Sequence, residues 1–208
     1  MVPGMSASIQ QAGERLVVID TETTGIAAAD RVVAFAGIEL VDGRATGRAM
    51  SLVFNPGRPC HWAARRAHGL SDDYLALQPG FAAHAAEIRG FLRGAVLVGH
   101  NVGFDIRMLN GEFRLAALEG LDGQPAICTV ALCRRHYPGE KAGLDLALQR
   151  IGLGRSTAVH GAFEDAALTA ALYQHLRHGA AEAVVPLLPP TNEVAMPARR
   201  RRPAPVSA

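Results

Sequence analysis

Leu16-Val17-Val18-Ile19 is a run of apolar, mostly β-branched residues that leads into Asp20-Thr21-Glu22 and then Thr23-Thr24-Gly25. Such a run reads as a buried strand, and the glycine after it permits a turn. Side chains alternate faces along a strand, so Asp20 and Glu22 point the same way. Two like charges aimed at one spot beside a buried strand raise each other's pKa and repel unless a cation sits between them. The pair predicts a divalent-metal site. Its plainer alternative is two solvated acids at a strand end, and further inward-facing acids decide between the two.

Around that strand the chain alternates between patterns of period two and period 3.6. Residues 31–41 read as a second strand, Asp42-Gly43 is a hairpin signal, and 45–54 form the antiparallel partner. Asn55-Pro56-Gly57-Arg58-Pro59 ends this meander, because prolines cannot continue a paired strand. A short helix is expected over 62–67, stopped by His68-Gly69. A longer amphipathic one follows Pro79-Gly80, with Phe81, Ala85, Ile88 and Leu92 on one face. Residues 95–98 form a short strand, and Val102, Ile106, Leu109, Phe113 and Ala116 mark the helix after it. A last strand near 126–129 precedes a helix towards His136, another helix carries Leu144 to Ile151 with Gly152 as its cap, and the final helix covers 162–176. The order predicts an α/β fold with a mixed five-stranded sheet flanked by helices.

Nearly half of the 208 residues are apolar, enough for one domain with its own core. That domain is expected over 14–180. Residues 1–13 read as a loose extension lacking the basic start and apolar stretch of a signal peptide. From 186 to 208 prolines surround Arg199-Arg200-Arg201-Arg202, and this tail is expected to be disordered for want of apolar surface. No apolar run is long enough to span a bilayer. Cys60, Cys128 and Cys133 form no CxxC pair, which suggests neither a zinc cage nor a disulfide framework and fits a reducing cytoplasm. A formal charge of +2 permits nucleic-acid binding without arguing for it.

Two later stretches supply the missing acids. In Gly99-His100-Asn101-Val102-Gly103-Phe104-Asp105 the aspartate shares the inward face of its helix with Val102 and Leu109. In His160-Gly161-Ala162-Phe163-Glu164-Asp165 the aspartate lies on the side of Leu168 and Leu172, with His160 just before the helix. Burying unpaired carboxylates costs several kcal/mol each. Two divalent cations resolve the conflict among Asp20, Glu22, Asp105 and Asp165, and hard oxygen donors favour Mg2+ or Mn2+ over zinc. This is the two-metal arrangement for phosphodiester hydrolysis, and an imidazole at its edge suits a general base.

DTETTG, HNVGFD and HGAFED resemble the three exonuclease motifs of the DEDDh family of 3′–5′ exonucleases, and the likeness extends from about Leu16 to Leu176. Asn55-Pro56-Gly57-Arg58-Pro59 with His68-Gly69-Leu70, and Tyr137-Pro138-Gly139 with Leu144-Asp145, are similar to the proofreading epsilon subunits of bacterial DNA polymerase III and their relatives. The resemblance implies a ribonuclease H-like fold. It implies that Asp20, Glu22 and Asp165 hold the nucleophile-side metal, and that Asp20, with Asp105 acting largely through water, holds the second. His160 is the implied base. Thr23, Thr24 and His68 are implied contacts of the terminal nucleotide, and Asn101 and Phe104 shape the site around it. The chain departs from the pattern at Val33-Ala34-Phe35-Ala36-Gly37, where relatives often carry a glutamate, and at Cys128, where an aspartate is common.

The expected function is therefore metal-dependent hydrolysis at single-stranded or frayed 3′ ends of DNA, in proofreading or repair, with a polymerase subunit as a partner. The same motifs suit an exoribonuclease equally, and a non-catalytic polymerase-binding module of this fold is the remaining alternative.

Overall fold

β1 (Arg15–Thr23) is the central strand of the sheet, and it is buried on both faces. The structure, a computed structural model, describes residues 13–156 and 160–179. Leu16 and Val18 pack into one core and Val17 and Ile19 into another, as the strand's alternation requires. β2 (Val32–Val41) and β3 (Arg44–Val53) complete an antiparallel meander, turned at Asp42 and Gly43, whose φ angles are 51° and 77°. Those paired positive angles are why Asp-Gly serves there. β4 (Val96–Gly99) and β5 (Ala126–Cys128) add in parallel on the other side, giving the order β3-β2-β1-β4-β5. The five-stranded mixed sheet matches the sequence expectation.

Helices cover both faces. The first core is closed by α3 (Ala85–Leu92) and α4 (Val102–Leu115), with Phe81, Ile88, Leu109 and Phe113 fully buried. The second is closed by α7 (Ala162–His178), whose Ala166, Ala170 and Tyr173 pack on Leu16, Val18 and Val33. α5 (Thr129–His136) and α6 (Leu144–Arg150) meet the far side of α7 through Cys133, Leu148 and Leu172. Gly99 ends β4 where the backbone passes close to β1: a Cβ there would lie 3.2 Å from the Ile19 carbonyl and 3.0 Å from Val102. No helix among the described residues is long and apolar enough to cross a membrane.

Two details differ from the sequence expectation. The helix after Pro79-Gly80 is broken into a 3-10 turn at Phe81–Ala83 and α3, jointed at His84, because the chain there is tied to the end of the meander by Asn55 N donating to the Pro79 carbonyl at 2.9 Å. A four-residue helix, α2 (Asp72–Leu75), follows α1 (Trp62–His68), and Ser71 Oγ caps it by accepting from Tyr74 N. It is too short to carry a periodic signal. Residues 1–12 of the extension expected over 1–13, and the Pro/Arg tail, lie outside the described residues.

One buried ion pair fixes α4 against the sheet. Glu112, 3% exposed, accepts from Arg31 Nε and Nη2 at 2.7 and 2.8 Å and from Val32 N at 3.0 Å. Glu112→Ala leaves two nitrogens of the guanidinium and a strand N–H without their acceptor, and is expected to lower stability by about 2–3 kcal/mol. Urea unfolding of the two proteins measures it.

Candidate active site

The end of β1 serves both layers of the fold. Asp20 and Glu22 share the parity of Leu16 and Val18 and so lie on the α7 side, whereas Thr21 shares that of Val17 and Ile19 and faces α4. There Thr21 Oγ1 donates to Asp105 Oδ1 at 2.7 Å. Asp105 stands in the first turn of α4, after a left-handed Asn101 (φ 74°), and is 4% exposed. Asp165, in the first turn of α7, is equally buried. His160 N donates to the Ala67 carbonyl at 2.9 Å, which pins the loop before α7 to the end of α1. The His160 ring then lies with Nδ1 3.5 Å from Asp165 Oδ2. Glu22, His160 and Asp165 present donor atoms all within 4.8 Å of one another, a group able to hold a metal ion.

The carboxylates strain against each other. Burial pushes Asp20 well above the usual carboxylate range, and the charges of Asp105, Glu22 and Asp165 push it further. Glu22 is raised to about 8, first by burial and then by Asp165 and Asp105. Asp105 is also raised by burial, against the pull of the Thr21 hydroxyl. Among the described residues, Arg155 is the group that lowers both Asp20 and Glu22.

Sequence reasoning missed Arg155. Its side chain is 9% exposed and grips Asp165 with two hydrogen bonds, Nε to Oδ1 at 2.7 Å and Nη2 to Oδ2 at 2.9 Å. Its remaining nitrogen pairs with Asp145. The planar fork of a guanidinium matches a carboxylate in this geometry. The signal available was charge balance: an excess of inward acids calls for a cation, and an arginine stands between Gly154 and Ser156 just ahead of the third motif. Periodicity offered nothing, because the residue lies in a loop.

A cavity of about 950 Å3 opens beside Glu22, and Thr21, Thr23, Ile26, His61, His68 and Phe104 are among its lining residues. A smaller one of about 200 Å3 lies between Glu22, His68 and His160. Thr23, His68 and Phe104 thus share a cavity with Glu22. Thr24 is fully buried, and its hydroxyl donates to Asp30 Oδ1 at 2.8 Å, so its contribution is to the turn after β1. Asn101 lines a separate cavity with His100 and Arg134. His68 Nδ1 accepts from Leu70 N at 3.1 Å, while its buried Nε2 has no hydrogen-bond partner among the described residues. Burial lowers its pKa. Ala34, in the stretch where a glutamate is common among relatives, pairs directly with Glu22 across β1 and β2 and lines the smaller cavity. A carboxylate there would add to a site already overloaded with negative charge.

The family model described as Exonuclease (RNase_T) matches residues 17–173. The chain belongs to this exonuclease family. It is a 3′–5′ exonuclease with a ribonuclease H-like fold. The family likeness extends to a DNA polymerase III subunit epsilon of Rickettsia felis, 36% identical over 171 residues that cover 79% of this chain and 75% of that one. The corresponding subunit of Escherichia coli is 32% identical over 176 residues, covering 79% and 72%. Among solved structures of exonucleases, Exonuclease X in complex with 5′ overhanging duplex DNA superposes with a TM-score of 0.62 at 28% identity, over 81% of this chain and 96% of that one. E. coli Exonuclease I in complex with a dT13 oligonucleotide gives a TM-score of 0.72 at 18% identity, over 79% and 41%, a likeness of fold.

For this exonuclease the raised carboxylates make stability depend on pH in a definite sense. Below the ordinary carboxylate pKa, Glu22 is protonated in both the folded and unfolded states. As pH rises, the unfolded chain ionises first and the folded one holds its proton until about 8, so stability is lost through that window. Between pH 5 and 8, without divalent cations, Glu22→Gln is expected to gain in melting temperature relative to the parent by about 2–4 °C or more. Paired thermal melts across that range measure the gap, and a constant gap contradicts the electrostatic account.

Proposed function

We propose that Asp20, Glu22, Asp105 and Asp165 hold two divalent cations, Mg2+ or Mn2+, and that His160 is the general base for hydrolysis of the last phosphodiester bond at a DNA 3′ end. The observation that carries this reading is the convergence of four inward carboxylates and an imidazole beside a cavity of about 950 Å3. Asp20, Glu22 and Asp105 resist ionisation in the bare site, which is the property of a pocket shaped for added positive charge. When bound, two such ions acidify the attacking water and stabilise charge on the attacking and leaving oxygens.

The chain's own residues do the rest. Glu22, Asp165 and His160 converge on one side of the site, where the attacking water is oriented and deprotonated. His160 turns Nδ1 to Asp165 and leaves Nε2 to take the proton from that water. Thr21 holds Asp105 in place. His68, which lines both cavities, and Phe104 receive the terminal nucleotide, the ring of Phe104 offering a face for its base. The catalytic unit is the domain 14–180. The names of the relatives favour DNA as substrate and a polymerase subunit as partner, and 3′–5′ exonuclease activity beside a polymerase fits proofreading as the role.

Three substitutions test the assignment. Asp165→Asn is expected to reduce Mg2+-dependent release of nucleoside monophosphates from a labelled oligonucleotide by at least about a thousandfold. Retained release contradicts the ligand set. His160→Ala is expected to lower kcat by about 10²–10⁴ with the melting-temperature rise on adding Mn2+ preserved, since the imidazole acts on the proton and not on ion retention. Arg155→Ala removes the guanidinium that occupies both Asp165 oxygens. It is expected to lower the melting temperature of the metal-free protein and to enlarge the rise produced by Mn2+, because ions bound only to the folded state stabilise it by mass action.

A further inference from the structure

Trp62 is the chain's only tryptophan, and it stands 64% exposed. A tryptophan used for packing buries most of a large side chain, so one left in water adds little to the fold. The helix it opens does not need it. The His61 ring caps α1 by accepting from Ala63 N, and a left-handed Gly69 closes the other end. The indole lies 5.6 Å from the His61 ring, and His61, Ala63 and Ala64 all line the large cavity that reaches Glu22. Trp62 is next to these lining residues in sequence and stands on the outer side of α1, turned to solvent.

Its surroundings are basic. α1 has no acid in its first turn and carries Arg65 and Arg66 in its last. Arg65 is engaged by Asp72 at 3.2 Å, whereas Arg66 is exposed one helical turn beyond Trp62, on the same side of the helix. An indole face next to a guanidinium fits a strand whose bases stack and whose phosphates pair with cations. An apolar protein surface would call for a broader apolar patch than one ring among alanines and arginines.

We propose that Trp62 is a stacking platform for a base upstream of the 3′-terminal nucleotide, with Arg66 meeting a neighbouring phosphate of the same single strand. The assignment rests on the nuclease reading of the adjoining cavity. It predicts that affinity for a strand depends on Trp62 while affinity for a mononucleotide does not.

Being the only tryptophan, Trp62 reports on itself. An oligothymidylate with a non-hydrolysable terminal linkage, added to the full chain with Mg2+, is expected to quench tryptophan emission saturably, and thymidine monophosphate is expected to leave it unchanged. By fluorescence anisotropy, Trp62→Ala should weaken oligonucleotide binding by about fivefold to a hundredfold, with Trp62→Phe recovering most of the loss and mononucleotide affinity unaltered. Arg66→Ala should flatten the slope of log affinity against log salt by about one. Saturable binding with unchanged emission, or unimpaired binding by Trp62→Ala, overturns the stacking role and leaves the nuclease reading standing if the parent still releases nucleotides. An unchanged slope removes the phosphate contact. If the parent neither binds the strand nor releases nucleotides, both readings fall together.

Discussion

Repulsion among buried carboxylates at the end of β1 governs this molecule. Asp20 and Glu22 come from the strand itself, Asp105 from the helix on one face of the sheet and Asp165 from the helix on the other. Asp105 and Asp165 are buried and Asp20 and Glu22 half-buried, so water screens them poorly, and the neighbouring charges make Asp20 and Glu22 harder to ionise. A fold tolerates that arrangement only with positive charge supplied, and in the bare chain Arg155 supplies part of it through Asp165. Charge on the protein is thus arranged to favour cations that the proposed reaction also requires. The cost in stability and the capacity for chemistry have one source.

The scaffold explains how residues from distant parts of the chain meet. β1 is central, is buried on both sides and runs parallel to β4, so the loops leaving both strands emerge at one edge. Gly99 lets the backbone of β4 pass close to Ile19 there, and Glu112 locks α4 to the start of β2. On the opposite face the hydrogen bond from His160 N to Ala67 joins the start of α7 to α1, placing His68 and His160 on one small cavity. The residues proposed to face substrate and metal are therefore positioned by the same few contacts.

The strands, the hairpin at Asp42-Gly43 and the inward acids were legible in the sequence because they obey simple periods: two along β1, and three to four along α4 and α7. Asp105 and Asp165 stood out as charges on apolar stripes. What was not legible lies where no period applies. α2 is too short to repeat, the break at His84 depends on a tie to Asn55 far back in the chain, and Arg155 reaches Asp165 from a loop. Thr24 and Asn101 were grouped with Thr23 and His68 by motif, and geometry separates them: one hydroxyl serves its own turn, and the other side chain lines a different cavity. Motif membership places a residue near a site without fixing which way it faces.

On the proposed reading this member of the exonuclease family uses its acids as a joint receptacle and not as independent charges. Counting bound manganese by electron paramagnetic resonance titration of the full chain tests that most directly. The account predicts two ions per chain in the parent, with fewer retained by Asp20→Asn, whose carboxylate is assigned to both positions. Two ions bound as tightly by that variant as by the parent, or none bound by the parent, would contradict it.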